Sequence, residues 1–194
     1  TGGGTGRPLL LPPLTLSDPQ AMEEKAITLE ELLASRDSRR DRQQQLLADS
    51  RGLTLVVLTI VMPGSVKRNR RSLVAAEAAV KALCDRFDGH ISLFEERDLP
   101  TGFEAFILTD LGRDEAKRLA CGIEDTHPLG RLFDIDVIAP DGVPVSRTTL
   151  GLPQRRCLVC GDDARVCMRL NRHSYDDLLR TIASMIESYE RKNV

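Results

Sequence analysis

The chain has 194 residues, of which 41% are hydrophobic, and this composition suffices for one well-formed core but is marginal for two. A formal net charge of -2 excludes the basic field typical of nucleic-acid binders, and with 4% aromatic residues and no Trp few rings remain for base stacking. No apolar run approaches the length of a transmembrane helix, and five cysteines, an odd number, argue against a secreted disulfide framework. We therefore expect a soluble, cytoplasmic protein that binds neither nucleic acid nor membrane.

The N-terminal segment differs in composition from the rest. Residues 1–21 are rich in Gly and Pro and lack any period, which predicts a flexible leader or an expression remnant. Met22 would suit a natural start. We expect residues 22–194 to form a single domain with a C-terminal Cys-rich and helical segment.

A periodic pattern begins at Thr28. Leucines at helical spacing predict a first helix over 28–47, with Thr28 as N-cap and Glu31 three residues later. The apolar run 52–64, which Pro-Gly closes, predicts a central strand. An Ala-rich periodic segment predicts a second helix over 72–87.

The second half of the chain predicts two hairpins and two helices. In chain order they are strands 90–100 and 102–111 about a tight turn, a helix over 112–126, strands 131–140 and 143–150 about Asp141-Gly142, and a final helix from Ser174. This order predicts an α+β fold in which a mixed sheet is covered on one face by helices.

Two aspartates alternate with apolar residues in HPLGRLFDIDV, residues 127–137. In a strand, side chains two apart share a face, so Asp134 and Asp136 would stand side by side and repel each other unless a cation lies between them. Paired carboxylates suit Mg²⁺, which binds substrate phosphates. The alternative is an ordinary solvated strand face.

The residues before this pair favour the metal interpretation. Gly130 would let backbone N–H groups approach a phosphate, and Arg131 offers it a planar fork. His127 is the candidate general base, although a His-Pro turn is equally consistent with a structural role.

Local basic groups occur at several turns of this nearly neutral chain. The Pro63-Gly64 turn would set Lys67 at the N-terminus of the second helix, a natural anion site. Further candidate phosphate ligands are Arg36 in the first helix, Arg147 on the partner strand of the second hairpin, and Arg155 after Pro153. Most surface arginines are only solvated charges, but the pattern favours a polyphosphate over a long polyanion.

Three cysteines and a histidine follow in RRCLVCGDDARVCMRLNRHS. The C-x2-C pair with the later Cys and His supplies a Cys3His set for tetrahedral zinc, formed by Cys157, Cys160, Cys167 and His173. The alternatives are a buried reduced cluster or a redox pair.

Taken together, four blocks resemble the apo-citrate lyase phosphoribosyl-dephospho-CoA transferases (the CitX family, also called holo-citrate lyase acyl-carrier protein synthases). The blocks are LLASRDSRRDRQQQLL, MPGSVK, HPLGRLFDIDVIAPDGVPVSR and LPQRRCLVCGDDARVCMRLNRHS, and the resemblance runs from about Thr28 to the last helix. Zinc and the leader have no counterpart in this resemblance.

The resemblance implies a nucleotidyltransferase-like protein. It would transfer the prosthetic group from 2'-(5''-triphosphoribosyl)-3'-dephospho-CoA to a serine of the citrate lyase acyl-carrier (gamma) subunit and release pyrophosphate. A related enzyme of malonate decarboxylase maturation carries an Asp-x-Asp pair, and the matching motif assigns that metal-binding role to Asp134 and Asp136. Two alternatives stay open: a transferase with another acceptor, and a noncatalytic zinc-organised module that binds an acidic carrier protein.

Overall fold

Helix boundaries follow the capping signals in the sequence. In this computed structural model, which describes residues 24–50 and 52–193, helix α1 begins after Thr28 with a reciprocal capping box to Glu31. The helices are α1 Leu29–Asp49, α2 Arg70–Arg86, α3 Arg113–Thr126, α4 Ala164–Arg169 and α5 Tyr175–Asn193. Within the described part of the chain, no helix combines the length and apolarity needed to cross a membrane. The predicted leader, residues 1–21, lies outside the described residues.

Four strands form one sheet in the order β2-β3-β1-β4, and every neighbouring pair is antiparallel. The strands are β1 Thr54–Ile60, β2 Ile91–Leu99, β3 Gly102–Thr109 and β4 Phe133–Ile138. The prediction of a central strand at β1 is confirmed, whereas that of a mixed sheet is wrong. Each helical crossover, β1-α2-β2 and β3-α3-β4, skips one position in the sheet, so the parallel partners are never neighbours. This is the split β-α-β arrangement.

Helices cover both faces of the sheet, not one as predicted. The larger core packs α2, α3 and α5 against the face that carries Leu58 and Ile135. A smaller cluster packs Leu46 of α1 against Val57 and Ile138 on the opposite face. The α+β class is confirmed, and a nucleotidyltransferase-like fold stays a prediction.

The second predicted hairpin forms only near its turn. Gly142 adopts φ +82°, the Ala139 N–H donates to the Val143 carbonyl, and the Val145 N–H donates to the Val137 carbonyl, but the predicted strand 143–150 does not continue beyond Val145. The Ser146 hydroxyl accepts from the backbone N–H of Thr149, which favours a turn there. Strand β4 therefore remains at the edge of the sheet.

The N-cap of α2 provides a test of how local signals contribute to stability. Asn69 accepts a hydrogen bond from the Ser72 N–H at 2.9 Å, and its own N–H donates to the Ser72 hydroxyl at 2.9 Å. We expect Asn69→Ala to lower the free energy of unfolding by about 1 kcal/mol, measured by urea denaturation. Gln44→Ala, at an exposed position inside α1, is the control and should change it by less than about 0.5 kcal/mol. Equal effects of the two substitutions would contradict a capping role.

Candidate active site

A cleft of about 810 Å³ lies along the open edge of β4. Its walls are β4, the facing side of α3, the segment Val61, Met62 and Pro63 after β1, and the C-terminal segment between Pro144 and Leu178. This volume is within the range of small-molecule sites, which is about 300–1,000 Å³. It is therefore the candidate substrate site.

The two predicted carboxylates both line this cleft. Asp134 pairs in register with Thr59 and Asp136 with Val57, so both side chains stand on the sheet face that packs on α1. This placement agrees with the prediction that the two side chains share a face and adjoin a cleft. Their role in metal binding stays a prediction.

The two carboxylates have different electrostatic surroundings. Partial loss of hydration in the cleft raises the pKa of Asp136, and the negative charge of Asp134 raises it further. Lys117 and Arg39 act in the opposite direction but are outweighed. Asp134 accepts a hydrogen bond from Arg155 at 2.9 Å, while about half of its side chain is exposed. Negative charge at this edge is thus only partly compensated by the protein.

Two residues of α3 hold the edge of β4 and were not predicted as site residues. Lys117 donates to the carbonyl of Ile135 at 3.0 Å, and Glu124 accepts from the Ile135 N–H at 2.9 Å. Both are buried and line the cleft. Their spacing of seven residues puts them on one helix face, which is the signal that sequence analysis could have used. Because Arg147 occupies the other oxygen of Glu124, this carboxylate is committed to the fold and is not a free third metal ligand.

Arg131 and Arg155 are two of the predicted phosphate ligands that line the cleft. Arg155 contacts Asp134 and the main-chain oxygens of Phe133 and Arg131. The Nε of Arg131 is buried and has no hydrogen-bond partner among the described residues. Burial and the nearby charge of Arg155 lower the pKa of Arg131. A buried, unpaired guanidinium nitrogen is costly, and an anion would relieve that cost.

Arg147 does not lie on a strand, contrary to prediction. It precedes a 3-10 turn at Thr148–Leu150, and its guanidinium group is buried against Glu124 and Asp125. It lines the cleft, but both of its terminal nitrogens are already bound to carboxylates. Arg147 therefore ties the C-terminal segment to α3, and this pairing does not favour a phosphate role.

Gly130 and His127 serve the packing at the end of α3. A Cβ on Gly130 would lie 2.5 Å from the carbonyl oxygen of Glu124, so the close approach of these two backbones requires glycine. The backbone N–H of Gly130 already donates to the His127 carbonyl at 2.8 Å. The His127 ring packs near Phe133 and Tyr189, accepts from the Leu129 N–H, and has its pKa lowered by burial. Neither residue lines the cleft, and this placement does not favour their predicted roles.

Lys67 and Arg36 also lie outside the cleft lining. Lys67 donates to the carbonyl of Met62, and burial together with the charge of Arg36 lowers the pKa of Lys67. The two cations are therefore close to each other and are not among the residues that line the cleft. Their assignment to substrate binding stays a prediction.

The predicted Cys3His set comes together in the C-terminal wall of the cleft. The ligand atoms of Cys157, Cys160, Cys167 and His173 all lie within 4.8 Å of one another. Such a group could hold a metal ion such as zinc, and the expected grouping is thus confirmed. Three of the four, Cys157, Cys167 and His173, also line the cleft.

The thiols differ in acidity. Burial opposes ionisation of Cys157, but backbone N–H groups of Cys160 and Val159 and the neighbouring thiols outweigh it and lower the pKa of Cys157. Burial and hydrogen bonds to the other two thiols raise the pKa of Cys167 to about 12. Without a cation, one thiolate is thus favoured at the expense of another.

Comparison with known proteins identifies the family. The family model for apo-citrate lyase phosphoribosyl-dephospho-CoA transferase matches residues 27–189. The chain belongs to this transferase family.

Relatives bearing the family name align over most of their length. A probable apo-citrate lyase phosphoribosyl-dephospho-CoA transferase of Streptococcus pyogenes serotype M18 (strain MGAS8232) is 33% identical over 173 residues, 87% of this chain and 90% of its own. A probable transferase of the same name from Vibrio cholerae serotype O1 (strain M66-2) is 38% identical over 168 residues, which are 84% of this chain and 94% of its own. The transferase of Shigella flexneri serotype 5b (strain 8401) is 34% identical over 179 residues, which are 91% of this chain and 97% of its own.

The range matched by this transferase family contains the whole cleft and the Cys3His set. The resemblance stated from the four sequence blocks is thereby confirmed. The family name describes transfer of a phosphorylated group, and the cleft combines carboxylates with arginines. The two observations are chemically compatible.

Substitution of Gly130 tests whether this residue is needed for packing. We expect Gly130→Ala to lower the free energy of unfolding by about 1–3 kcal/mol, because the new methyl group meets backbone atoms that cannot yield. Gly122→Ala in α3, where nothing lies within 4 Å of the new Cβ, is the matched control and should be neutral or stabilising by up to about 1 kcal/mol. Chemical denaturation measures both, and an unchanged Gly130→Ala protein would contradict the assignment.

Proposed function

We propose that this chain attaches the phosphoribosyl-dephospho-CoA group of 2'-(5''-triphosphoribosyl)-3'-dephospho-CoA to a serine of the citrate lyase acyl-carrier (gamma) subunit, with release of pyrophosphate. The family match over residues 27–189 is the observation that carries the proposal. The names of the relatives from three genera agree with it.

The cleft at β4 supports a phosphorylated donor. Arg131 and Arg155 lie in the same cleft as Asp134 and Asp136, so cationic and anionic groups meet at one edge. Guanidinium groups suit phosphate oxygens, and a divalent cation would join the carboxylates to those oxygens. A charged triphosphate is thus a better match to this cleft than a neutral ligand.

We propose Mg²⁺ as the ion and Asp134 and Asp136 as the residues that would hold it. Partial desolvation and the charge of Asp134 both raise the pKa of Asp136, and a cation held between the two carboxylates would relieve part of this cost. When bound, Mg²⁺ would offset the charge that builds on the transferred phosphoryl group. We also propose Zn²⁺ as the ion of the Cys3His cluster.

The residues of the chain would then position the reactants. The serine oxygen of the carrier forms a bond to the phosphorus next to the ribose, the bond from that phosphorus to pyrophosphate breaks, and the hydroxyl proton passes to water in the open cleft. Arg131 would bind the leaving pyrophosphate, because its Nε has no partner among the described residues. Arg155 would exchange part of its contact with Asp134 for a phosphate oxygen.

A second candidate function is a noncatalytic module that docks an acidic carrier. The exposed apolar and basic residues of and beside α4 favour it, namely Val166, Met168, Leu170, Arg165 and Arg169. Such a module would bind the carrier without releasing pyrophosphate. The third possibility is a transferase with another acceptor. Mass spectrometry of other carrier proteins after incubation with enzyme, donor and Mg²⁺ tests it.

The carboxylate pair can be tested by mass spectrometry of the carrier after incubation with enzyme, donor and Mg²⁺. We expect Asp134→Asn and Asp136→Asn each to slow modification by at least about 100-fold, because charge stabilisation during phosphoryl transfer is lost. Asp88→Asn, at an exposed position after α2, is the matched control and should react at the normal rate. Normal modification by Asp134→Asn would exclude the metal mechanism. Binding of the carrier without modification by the unaltered protein would favour the noncatalytic module.

Asp136 should also affect stability in a pH-dependent way. Its pKa is higher in the folded than in the unfolded chain, so the stability of the protein falls as pH rises from the unfolded pKa through the folded one. At neutral pH we therefore expect Asp136→Asn to raise the melting temperature, while Asp88→Asn leaves it unchanged.

Metal addition provides the complementary measurement. Mn²⁺ or Mg²⁺ should raise the melting temperature of the unaltered protein, because a ligand that binds the folded state stabilises it, and should have little effect on Asp136→Asn. A destabilised Asp136→Asn protein, or an equal metal effect on both proteins, would be evidence against a cost at the two carboxylates that a cation relieves.

A further inference from the structure

The C-terminal wall of the cleft has almost no hydrophobic core of its own. Between residues 151 and 173, all of which are described, only Cys157 and Cys167 are buried. The apolar side chains of Val166, Met168 and Leu170 are instead exposed. A segment that buries so little apolar surface needs another source of stability, for which small proteins commonly use a metal ion.

The two buried side chains belong to the cluster of potential metal ligands. The sulfurs of Cys160 and Cys167 are 3.5 Å apart, and all four ligand atoms of the cluster lie within 4.8 Å of one another. Tetrahedral zinc with Zn–S bonds of about 2.3 Å would separate two sulfurs by about 3.8 Å. The cluster thus needs only a small adjustment to accept the ion.

His173 supplies an independent observation. Its Nε2 is buried and has no hydrogen-bond partner among the described residues. A buried imidazole nitrogen without a partner carries a desolvation cost, and a bound ion would remove that cost. An oxidised pair would leave the nitrogen of His173 unsatisfied, whereas zinc uses the histidine and the cysteines together.

The local backbone has the shape of a metal knuckle. Gly161, with φ +76°, closes a turn in which its N–H donates to the carbonyl of Cys157 at 3.2 Å. Asp163 then caps α4 by accepting from the N–H groups of Arg165 and Val166, and α4 returns Cys167 to the turn. These local hydrogen bonds place Cys167 beside the turn that carries Cys157 and Cys160.

The cluster is also connected to the carboxylate pair. Arg155 lies two residues before Cys157, contacts Asp134, and accepts the Ala164 N–H at its carbonyl. Fixing the knuckle would thus fix Arg155 beside Asp134 in the cleft.

We propose that Cys157, Cys160, Cys167 and His173 bind one structural Zn²⁺, and that this ion holds the C-terminal wall of the cleft in place. The ion stabilises the segment 151–173 and positions Arg155, and it takes no part in the chemical step. Only the kinetic readout below rests on the proposed transferase activity.

Elemental analysis of the purified full chain tests the site itself. We expect about one zinc per chain in the unaltered protein, and loss of most of it in Cys160→Ser and in His173→Ala. Cys84→Ser, which removes a half-buried thiol of α2 outside the cluster, is the matched control and should keep its zinc. Co²⁺ substitution should give the absorption of a tetrahedral thiolate site in the unaltered protein and in Cys84→Ser. Equal zinc in all four proteins, or none in the unaltered protein, would overturn the site.

Limited trypsin digestion tests the role of the ion in the wall. Removal of zinc with a chelator should expose Arg165, Arg169 and Arg172 to cleavage, while Arg118 in α3, also exposed, stays protected by its helix. Re-addition of zinc should restore resistance. Zinc that binds without changing cleavage would overturn the structural role.

The kinetic readout separates this proposal from the proposed function. We expect His173→Ala to raise KM for the triphosphorylated donor about tenfold with a smaller change in kcat, since a displaced Arg155 weakens binding. An unchanged KM would overturn the link to Arg155. A protein with zinc-dependent protease resistance but no transfer to the carrier would refute the proposed function and leave the zinc site intact.

Discussion

The open edge of β4 is the constraint on which the rest of the site depends. An edge strand presents backbone groups without partners, and such groups must be satisfied or covered. Here Lys117 and Glu124 from α3 bind the two backbone groups of Ile135, and Arg155 binds the carbonyl of Phe133. Side chains replace the missing strand, and the space beside them becomes the cleft.

This replacement brings charged groups into a partly desolvated place. Glu124 then needs Arg147 as a partner, which in turn draws the C-terminal segment against α3. Two further carboxylates, Asp134 and Asp136, stand on the same strand, and among residues 24–50 and 52–193 Arg155 is the ion-pair partner of Asp134. The charge imbalance costs stability in the free protein, and sites that bind ions or substrates commonly carry such a cost.

The C-terminal wall of the cleft lacks apolar packing. It contains charged and exposed residues but almost no apolar core, so side-chain packing alone stabilises it weakly. Its only buried residues between 151 and 173 are Cys157 and Cys167, two of the four potential metal ligands. The proposed zinc would thus stabilise this wall, whereas the proposed magnesium would take part in phosphoryl transfer at the edge of β4.

Sequence patterns determined the features that depend on near neighbours. Three such features are the capping box at Thr28, the shared face of Asp134 and Asp136, and the grouping of Cys157, Cys160, Cys167 and His173. They follow from helix capping, strand alternation and the spacing of metal ligands, which all operate over a few residues. The four blocks were likewise enough to indicate the family. Tertiary structure decided the antiparallel strand order, the pairing of Arg147 with Glu124, the packing of His127 beside Tyr189, and the part played by Lys117. These depend on which distant segments meet when helical crossovers skip a strand, and no local period encodes that choice.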